Sequence, residues 1–519
     1  MTDTKLRNFH EAQWDENIIF EESVPGSRGI LIPDVAEEAK PVTGSIATLL
    51  PENLKRKAKP ALPEMAQPQV LRHYLRLSQE TIGQDINIDI GLGTCTMKYS
   101  PKINEQFVRS PKFSEMHPYQ DDSTAQGVLK IIYDFEQIMK EISGLDAVSF
   151  EASGGGQGIY ANAAVLKKYF RDRGEEKQRT QIITTILSHP LDSAAPAMKG
   201  FEVISLYPDE NGYPSLENLK AVVSDKTAGI FITNPEDTGV FNPIVQQFVE
   251  VVHKAGGLCV CDMADYNGLF GIVRAKELGA DMCHFNLHKA FSSPHGCMGP
   301  GCAAQCVSAE LEKFLPRPRV RFDGKKYYTD YEGPASVGKI RQFQGSLAAV
   351  LRAYAWVMSL GKDGLTAVAQ TAILNNNYMM KRLLTEVKGI SMSWAKEAPH
   401  RLEQVRYSFE QLLKDTGVGA EHVNRHMLDF GFQRFFASHH PLIVPEPYTP
   451  EPTESYSKAD IDEYVTALKK ISAEAYSTPE IVLNAPYNGP ISKLEVDHIE
   501  KVEQLAVTWR AYKKQHGKK

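Results

Sequence analysis

From about residue 124 the apolar positions fall into helical spacing. Val128, Ile131, Ile132, Phe135, Ile138, Met139 and Ile142 recur every three or four residues, which predicts an amphipathic helix. Beyond it, short apolar runs alternate with helical stretches. The runs lie at residues 147–150, 181–187, 203–206, 229–233 and 258–261. Most are followed within a few residues by Gly, Asp, Asn, Pro or Ser. Asn242-Pro243 opens one of the intervening helical stretches, residues 244–255. Buried strands alternating with helices predict an α/β fold with a mostly parallel sheet. In such sheets ligands bind beyond the carboxyl ends of the strands, where these polar residues cluster.

The flanks follow other patterns. Residues 1–80 are rich in Pro and charge, with few long periodic runs, and read as an extended N-terminal arm with short helices. Such an arm needs a surface to lie on, and another subunit would supply one. Residues 81–345 form the expected large domain. A long helical region is expected at 336–388, containing Leu347, Val350, Leu351, Tyr354, Val357 and Met358. The connecting helix and a smaller α+β domain fill residues 346–519, with a Pro-rich passage at 441–452, a helix at 458–475 and a basic, solvated tail from Lys513. No internal repeat is visible.

Composition narrows the classes. A chain of 519 residues is too long for one simple core. Its 42% hydrophobic and 24% charged content is ordinary for a globular enzyme. A formal net charge of −6 argues against nucleic acid or an anionic membrane as partner. No apolar run is long enough to cross a bilayer, and Met1-Thr2-Asp3-Thr4-Lys5 lacks a secretory pattern, so a cytoplasmic location is expected. Seven cysteines in such a length do not make a disulfide framework. Cys259 and Cys261 alternate within an apolar strand pattern and read as core, while Cys302 and Cys306 lack identifiable co-ligands. No metal site is expected.

One lysine changes the picture. Phe285-Asn286-Leu287-His288-Lys289 places Lys289 just after a mostly apolar run, and the neighbouring run ending at Cys261 is followed by Asp262. An amine and a carboxylate at the ends of neighbouring buried strands suit pyridoxal 5'-phosphate (PLP). The amine forms a Schiff base with the aldehyde, and the carboxylate keeps the pyridine nitrogen protonated. The loop Ser153-Gly154-Gly155-Gly156-Gln157-Gly158 follows one strand and precedes a helix over 159–170, the setting of a phosphate cradle. It lacks the lysine of a P-loop, which disfavours a nucleoside triphosphate. His189, His288 and His295 lie in or near the same loops, each able to stack, move a proton or cap a turn. Ser292 and Ser293 are candidate phosphate donors.

Asn286-Leu287-His288-Lys289, with Pro294-His295-Gly296 and Gly299-Pro300-Gly301, resembles the PLP-lysine segment of the glycine cleavage system P-protein family. The similarity is greatest to its C-terminal half, which many bacteria make as a separate subunit 2. Further similar segments are Leu92-Gly93-Thr94-Cys95-Thr96-Met97-Lys98-Tyr99, Met116-His117-Pro118, Arg352-Ala353-Tyr354-Ala355 and Glu451-Pro452-Thr453-Glu454-Ser455. The resemblance implies fold type I of the PLP-dependent transferases: a large seven-stranded domain, a small C-terminal domain and an N-terminal arm. It implies Lys289 as the cofactor lysine, Asp262 as the pyridinium partner, and Gly155, Gly156 and Gln157 around the phosphate. His288 or His189 would stack on the ring or serve acid–base work. The implied activity is that of glycine dehydrogenase (decarboxylating), which decarboxylates glycine and passes an aminomethyl group to the lipoyl arm of the H-protein. The implied partners are a related subunit 1, the H-protein, and a second chain in a homo- or hetero-dimer.

Some loops depart from the family. His189-Pro190-Leu191-Asp192-Ser193 stands where His-Gly-Thr-Asn-Pro is usual, and Asp262-Met263-Ala264-Asp265 where Asp-Gly-Ala-Asn is usual. Cys297-Met298 replaces glycines. The cofactor residues are kept while the substrate side is altered. A carboxylate in place of a neutral amide should repel a substrate carboxylate. Two alternatives stand beside glycine decarboxylation. One is a PLP-dependent decarboxylase, lyase or aminotransferase for another amino compound. The other is a non-catalytic partner subunit, against which Lys289 and Asp262 together argue.

Overall fold

The computed structural model describes residues 4–44, 46–83, 85–294, 301–440, 443–491 and 508–517. His295, Gly296, Cys297, Met298, Gly299, Pro300, the start of the Pro-rich passage and the last two lysines lie outside the described residues. The chain divides into two compact units, Asn8–Gly83 with Ala485–Lys519, and Met1–Arg7 with Gln84–Asn484.

In the first of these units, the N-terminal segment is tied to the tail. Phe20 stacks on Trp509 with ring centroids 4.9 Å apart, and the Glu11 amide donates to the Asn488 carbonyl at 2.9 Å. The 13-residue helix Gln67–Gln79 is anchored by Glu16, which accepts from Arg76 at 2.5 Å and lies 3.0 Å from His73. Among the described residues of 8–83, Met65 and His73 are buried. That fits the sparse apolar periodicity of the segment.

The second unit is organised by a seven-stranded sheet. Its strands are β1 (Ala147–Ser149), β2 (Gln181–Thr185), β3 (Glu202–Leu206), β4 (Thr227–Thr233), β5 (Leu258–Met263), β6 (Met282–Asn286) and β7 (Ala303–Val307), in spatial order β1-β7-β6-β5-β4-β2-β3. All neighbours are parallel except at β7, which runs antiparallel to both β1 and β6. Apart from the edge strand β3, both faces are buried, so the strands feed two cores in alternation. Ile230, Ile232, Cys259, Cys261, Cys283 and Phe285 face one core. Ala228, Phe231, Val260 and Met282 face the other. Cys259 and Cys261 are therefore packing residues, as their alternation indicated. Strand β7 escaped the hydrophobic pattern because Ala-Ala-Gln-Cys-Val is weakly apolar; the amide nitrogen of buried Gln305 donates to Asn162 Oδ1 at 2.9 Å.

The helix expected over 336–388 begins only at Leu347 and runs to Glu386, with a break at Gly361. Residues 336–346 are not helical because Gly338 and Gly345 sit at φ +87° and +78°. At Gly345 an added Cβ would lie 1.9 Å from the Phe150 carbonyl oxygen. A third core, including Met379, Leu383, Val405, Tyr407, Tyr448 and Leu468, lies between this helix, the helix Lys458–Ser477 and a small three-stranded antiparallel sheet. Ser457 and Asp460 close a reciprocal capping box that starts the Lys458 helix where the sequence placed it. Among the described residues no helix is long and apolar enough to cross a membrane.

Candidate active site

Lys289 follows β6 by three residues, in a turn whose amide donates back to Asn286 at 3.1 Å. Its Nζ donates to the Thr94 carbonyl oxygen. That acceptor belongs to the tight segment Leu92–Lys98, in which Thr94 and Thr96 both adopt positive φ, 66° and 43°. Two β-branched residues in that region mark a segment held by its surroundings. The surroundings are specific. Gly93 donates to the Thr449 carbonyl at 2.9 Å, Thr94 N to Gln404 Oε1 at 2.8 Å, and Thr96 N to Glu451 Oε2 at 3.0 Å. Lys98 is 5% exposed and donates to Asn267 Oδ1 (2.8 Å) and the Ala290 carbonyl (2.9 Å), with Glu454 Oε1 at 2.8 Å. It fastens this segment to the loops after β5 and β6. Burial disfavours the Lys289 ammonium, but Cys95, Asp265, Asp262 and Glu451 outweigh that and hold its pKa above the usual lysine value.

Asp262 lies at the carboxyl end of β5, in register with Thr233 of β4 and His284 of β6. It is 5% exposed, accepts from the Ala264 amide at 2.8 Å and stands 3.2 Å from His284 Nε2. His284 is fully buried beneath Gly158, where an added Cβ would meet its ring at 3.0 Å. The glycines that follow β1 leave room that side chains would fill. A Cβ on Gly155 would lie 2.9 Å from Asn286 Nδ2, and one on Gly156 2.7 Å from Leu191 Cδ1. The helix Gly155–Asp172 starts at this point, so its first-turn amides have no intrahelical acceptor. Gln157 folds back, its Oε1 accepting from Ser153 N and Oγ at 2.9 Å each, and closes the loop. Anion-binding amides, a buried carboxylate and a lysine amine are the donor set a phosphorylated pyridine aldehyde requires. Buried Asn286, whose Oδ1 has no hydrogen-bond partner among the described residues, joins them and was not singled out in the sequence.

The two candidate histidines occupy different settings. His189 Nδ1 accepts from the Leu191 amide at 3.1 Å, which assigns its proton to Nε2 when neutral. Burial and the neighbouring His439 and Lys289 depress its pKa, against the opposing pull of Asp262 and Asp237. His439 meets its ring edge-on at 4.7 Å and is itself held by Asp237, 2.8 Å from its Nδ1. His439, Asp237 and the fully buried Arg406, whose Nη2 lies 3.8 Å from Asp237, form a polar network behind His189. Only the pairing of residues far apart in sequence reveals it. His288 instead packs under Gly301 and Gly154, with Nδ1 beside the backbone of Cys302, 3.2 Å from O and 3.3 Å from N. Ser292, at φ 61°, donates its hydroxyl proton to the Tyr99 carbonyl, and Ser293 donates to Ala349 O at 2.7 Å. These contacts commit both hydroxyl protons to the backbone, so the phosphate-donor role expected for Ser292 does not fit this geometry.

The departures from the family separate in the same way. Met263 is 2% exposed and belongs to the core against one sheet face, so its bulk changes nothing on the substrate side, contrary to expectation. Asp192 is 1% exposed and accepts from Thr233 Oγ1 at 3.2 Å. Burial, then Asp262, raises its pKa well above the usual carboxylate value. Leu191 faces the glycine loop. Asp265 alone among these residues carries a carboxyl electrostatically coupled to both Lys289 and Glu451.

With this geometry in hand, the likenesses to known proteins agree with one another. Residues 368–487 match the family described as glycine dehydrogenase, C-terminal domain, and residues 152–312 match aminotransferase class-V. A protein of Pyrococcus horikoshii named probable glycine dehydrogenase (decarboxylating) subunit 2 is 41% identical over 97% of this chain and 98% of its own length. Its namesake in Pyrococcus furiosus is 41% identical with the same coverage. The crystal structure of a glycine decarboxylase (P-protein) in inhibitor-bound form superposes with a TM-score of 0.71 at 19% identity, covering 85% of this chain and 99% of that one, and shows the shared fold. The lysine, the glycine loop and the sheet that carries them thus sit in a chain related over nearly its whole length to one group of proteins: it belongs to the glycine dehydrogenase (decarboxylating) subunit 2 family, with the α/β fold of PLP-dependent enzymes.

Proposed function

We propose that this chain is the cofactor-bearing chain of a glycine decarboxylase, acting on glycine with a related subunit 1 and a lipoyl carrier protein. The observation that carries the reading is the coupling of Lys289 and Asp262 at the ends of adjacent strands, beside a glycine-lined helix start. Lys289 would hold the cofactor covalently. The Asp262 carboxylate would pair with its ring nitrogen, and the first-turn amides at Gly155, Gly156 and Gln157 would hold its phosphate. When bound, PLP withdraws electron density from the substrate Cα, so that the bond to the carboxylate can break and carbon dioxide can leave.

The remaining roles belong to the protein. Asp262, whose Oδ1 accepts from the Ala264 amide, would face the cofactor ring nitrogen with the buried His284 ring 3.2 Å away on its other side. His189 is the ring-facing candidate because its neutral form is favoured and His439 holds its tilt. His288 anchors the glycine loop to Cys302 and keeps it closed on Asn286. Lys98, clamped to Asn267 and Ala290, holds Thr94 where its carbonyl receives the Lys289 amine. The large domain, 81–345, would supply most of these groups, the smaller C-terminal domain, 346–519, would add His439, and the N-terminal arm would offer a surface for a second chain.

A second reading, action on another amino compound, is favoured by one observation, the extra carboxyl of Asp265 beside Lys289. The test is the visible spectrum of the protein loaded with PLP, before and after glycine and a panel of amino acids. Glycine should shift the band, and borohydride should fix the cofactor to Lys289. A band that ignores glycine and answers another amine would replace the first reading by the second. A colourless protein would return the chain to a scaffolding role.

A further inference from the structure

Asp265 and Glu451 approach the same hydroxyl. Thr96 Oγ1 lies 2.5 Å from Asp265 Oδ1 and 3.2 Å from Glu451 Oε2, and the latter oxygen also accepts from Thr96 N at 3.0 Å. A hydroxyl carries one proton. If both carboxyls were ionised, two carboxylate oxygens would compete for that single O–H in a buried space. The outer oxygens, Asp265 Oδ2 and Glu451 Oε1, are buried and have no hydrogen-bond partner among the described residues. One further proton on either acid resolves the contact: the protonated acid donates to Thr96, and Thr96 donates to the other.

We propose that Asp265 and Glu451 share one proton across Thr96, and so present a single negative charge to the site at neutral pH. The charged neighbours favour this count. Lys289 and Lys98 face the pair, but so do Asp262, Asp237, Glu403 and the Cys95 thiol, and Glu454 already pairs with Lys98. Burial first, and the neighbouring acids second, Asp237 and Asp262 at Asp265 and Asp265 and Glu403 at Glu451, push both acids above their ordinary values, the Lys289 and Thr96 contacts notwithstanding.

The consequence concerns specificity, and it rests on the reading that the substrate is an α-amino acid bearing a carboxylate. The family's Asn with an ionised Glu451 carries one negative charge. So does Asp265 with a protonated partner. The replacement is therefore electrostatically silent while the proton is held. Once it leaves at higher pH, the pair becomes a dianion beside Lys289 and repels a substrate carboxylate, weakening binding on the order of tenfold.

Infrared difference spectra of the full-length protein, without cofactor, count the protons directly. Asp265→Asn should abolish one protonated-carboxyl band, because Glu451 then ionises. Glu451→Gln should abolish one for the converse reason. The double variant should lose no more than either single one. Loss in neither single variant, loss in only one, or loss of two in the double variant would each overturn the shared proton. Should a variant fold poorly, the wild-type band itself must titrate away in one step at alkaline pH. Glycine titrations of the PLP-loaded proteins then test specificity. The ratio of wild-type to Asp265→Asn affinity should fall about tenfold through that same step, and a flat ratio would overturn the gating. Glycine binding to neither protein, with the infrared result intact, would leave the shared proton standing and remove the glycine reading.

Discussion

Replacing Gly93 by alanine tests whether the segment that receives the Lys289 amine is held by backbone contact. An added Cβ at Gly93 would lie 2.3 Å from the Thr449 carbonyl oxygen and 2.8 Å from its carbon. Ordinary contacts of this kind begin near 3.4 Å, so the two backbones must part by roughly 1 Å. Neither can yield easily, because Gly93 N donates to that same oxygen at 2.9 Å and Arg406 Nε donates to Thr449 Oγ1 at 2.5 Å. Overpacking costs about 1–3 kcal/mol, and weakening the Gly93 hydrogen bond adds about 1 kcal/mol. A total near 2–4 kcal/mol follows. Because Thr94 is the next residue, its carbonyl is displaced by up to about 1 Å, and a displacement of that size at a reacting group costs activity by about 10²-fold. The assay is denaturant unfolding followed by cofactor absorbance and by activity, with Gly127→Ala as control. Gly127 opens the helix Gln126–Ser143 with nothing within 4 Å of its added Cβ, so alanine there should be neutral or stabilise by about 0.5 kcal/mol. Equal stability and activity of Gly93→Ala and Gly127→Ala would refute the argument.

Other perturbations give separable outcomes. Asp262→Asn should keep the fold but lower turnover by about 10²–10³-fold, measured by steady-state kinetics at saturating PLP; unchanged turnover would remove Asp262 from the site. His439→Ala removes a like-charged neighbour from His189 and should raise the His189 pKa, read from its ring-carbon resonance in histidine-labelled protein. Arg319→Met leaves Glu136, 4% exposed, without the guanidinium 2.5 Å away, and should cost about 3 kcal/mol of stability in denaturant melts. At His426, burial opposes the charge, but Asp429 and Glu474 at 2.7 and 3.0 Å outweigh it and raise the pKa. With the folded value above the unfolded one, this stabilisation is full below about pH 6.5 and is lost as pH rises through the folded value. The stability advantage of wild type over His426→Gln should therefore shrink with rising pH, and an advantage that grew would contradict the assignment.

The sequence by itself determined most of the sheet and which candidate residues follow its strands. The apolar runs around Ile183, Ile230, Val260 and Phe285 are buried on both faces, a condition that composition alone reports. Lys289, Asp262 and the glycines at 155 and 156 were legible because each must follow a strand directly. The antiparallel strand at 303–307 was not, since its Gln305 interrupts the apolar run, donating to Asn162 of a distant helix, and its alanines carry little hydrophobic signal. Roles that depend on contact across the chain were decided by tertiary structure alone. Ser292 looked like a phosphate donor until Tyr99 took its proton, and Met263 looked like a substrate-side change until the strand turned it into the core. Thr96 joins Asp265 to Glu451, 186 positions further along, across loops that no local pattern connects. Periodicity encodes which face of an element is buried; it carries no record of which distant side chain arrives on the other side of a hydroxyl.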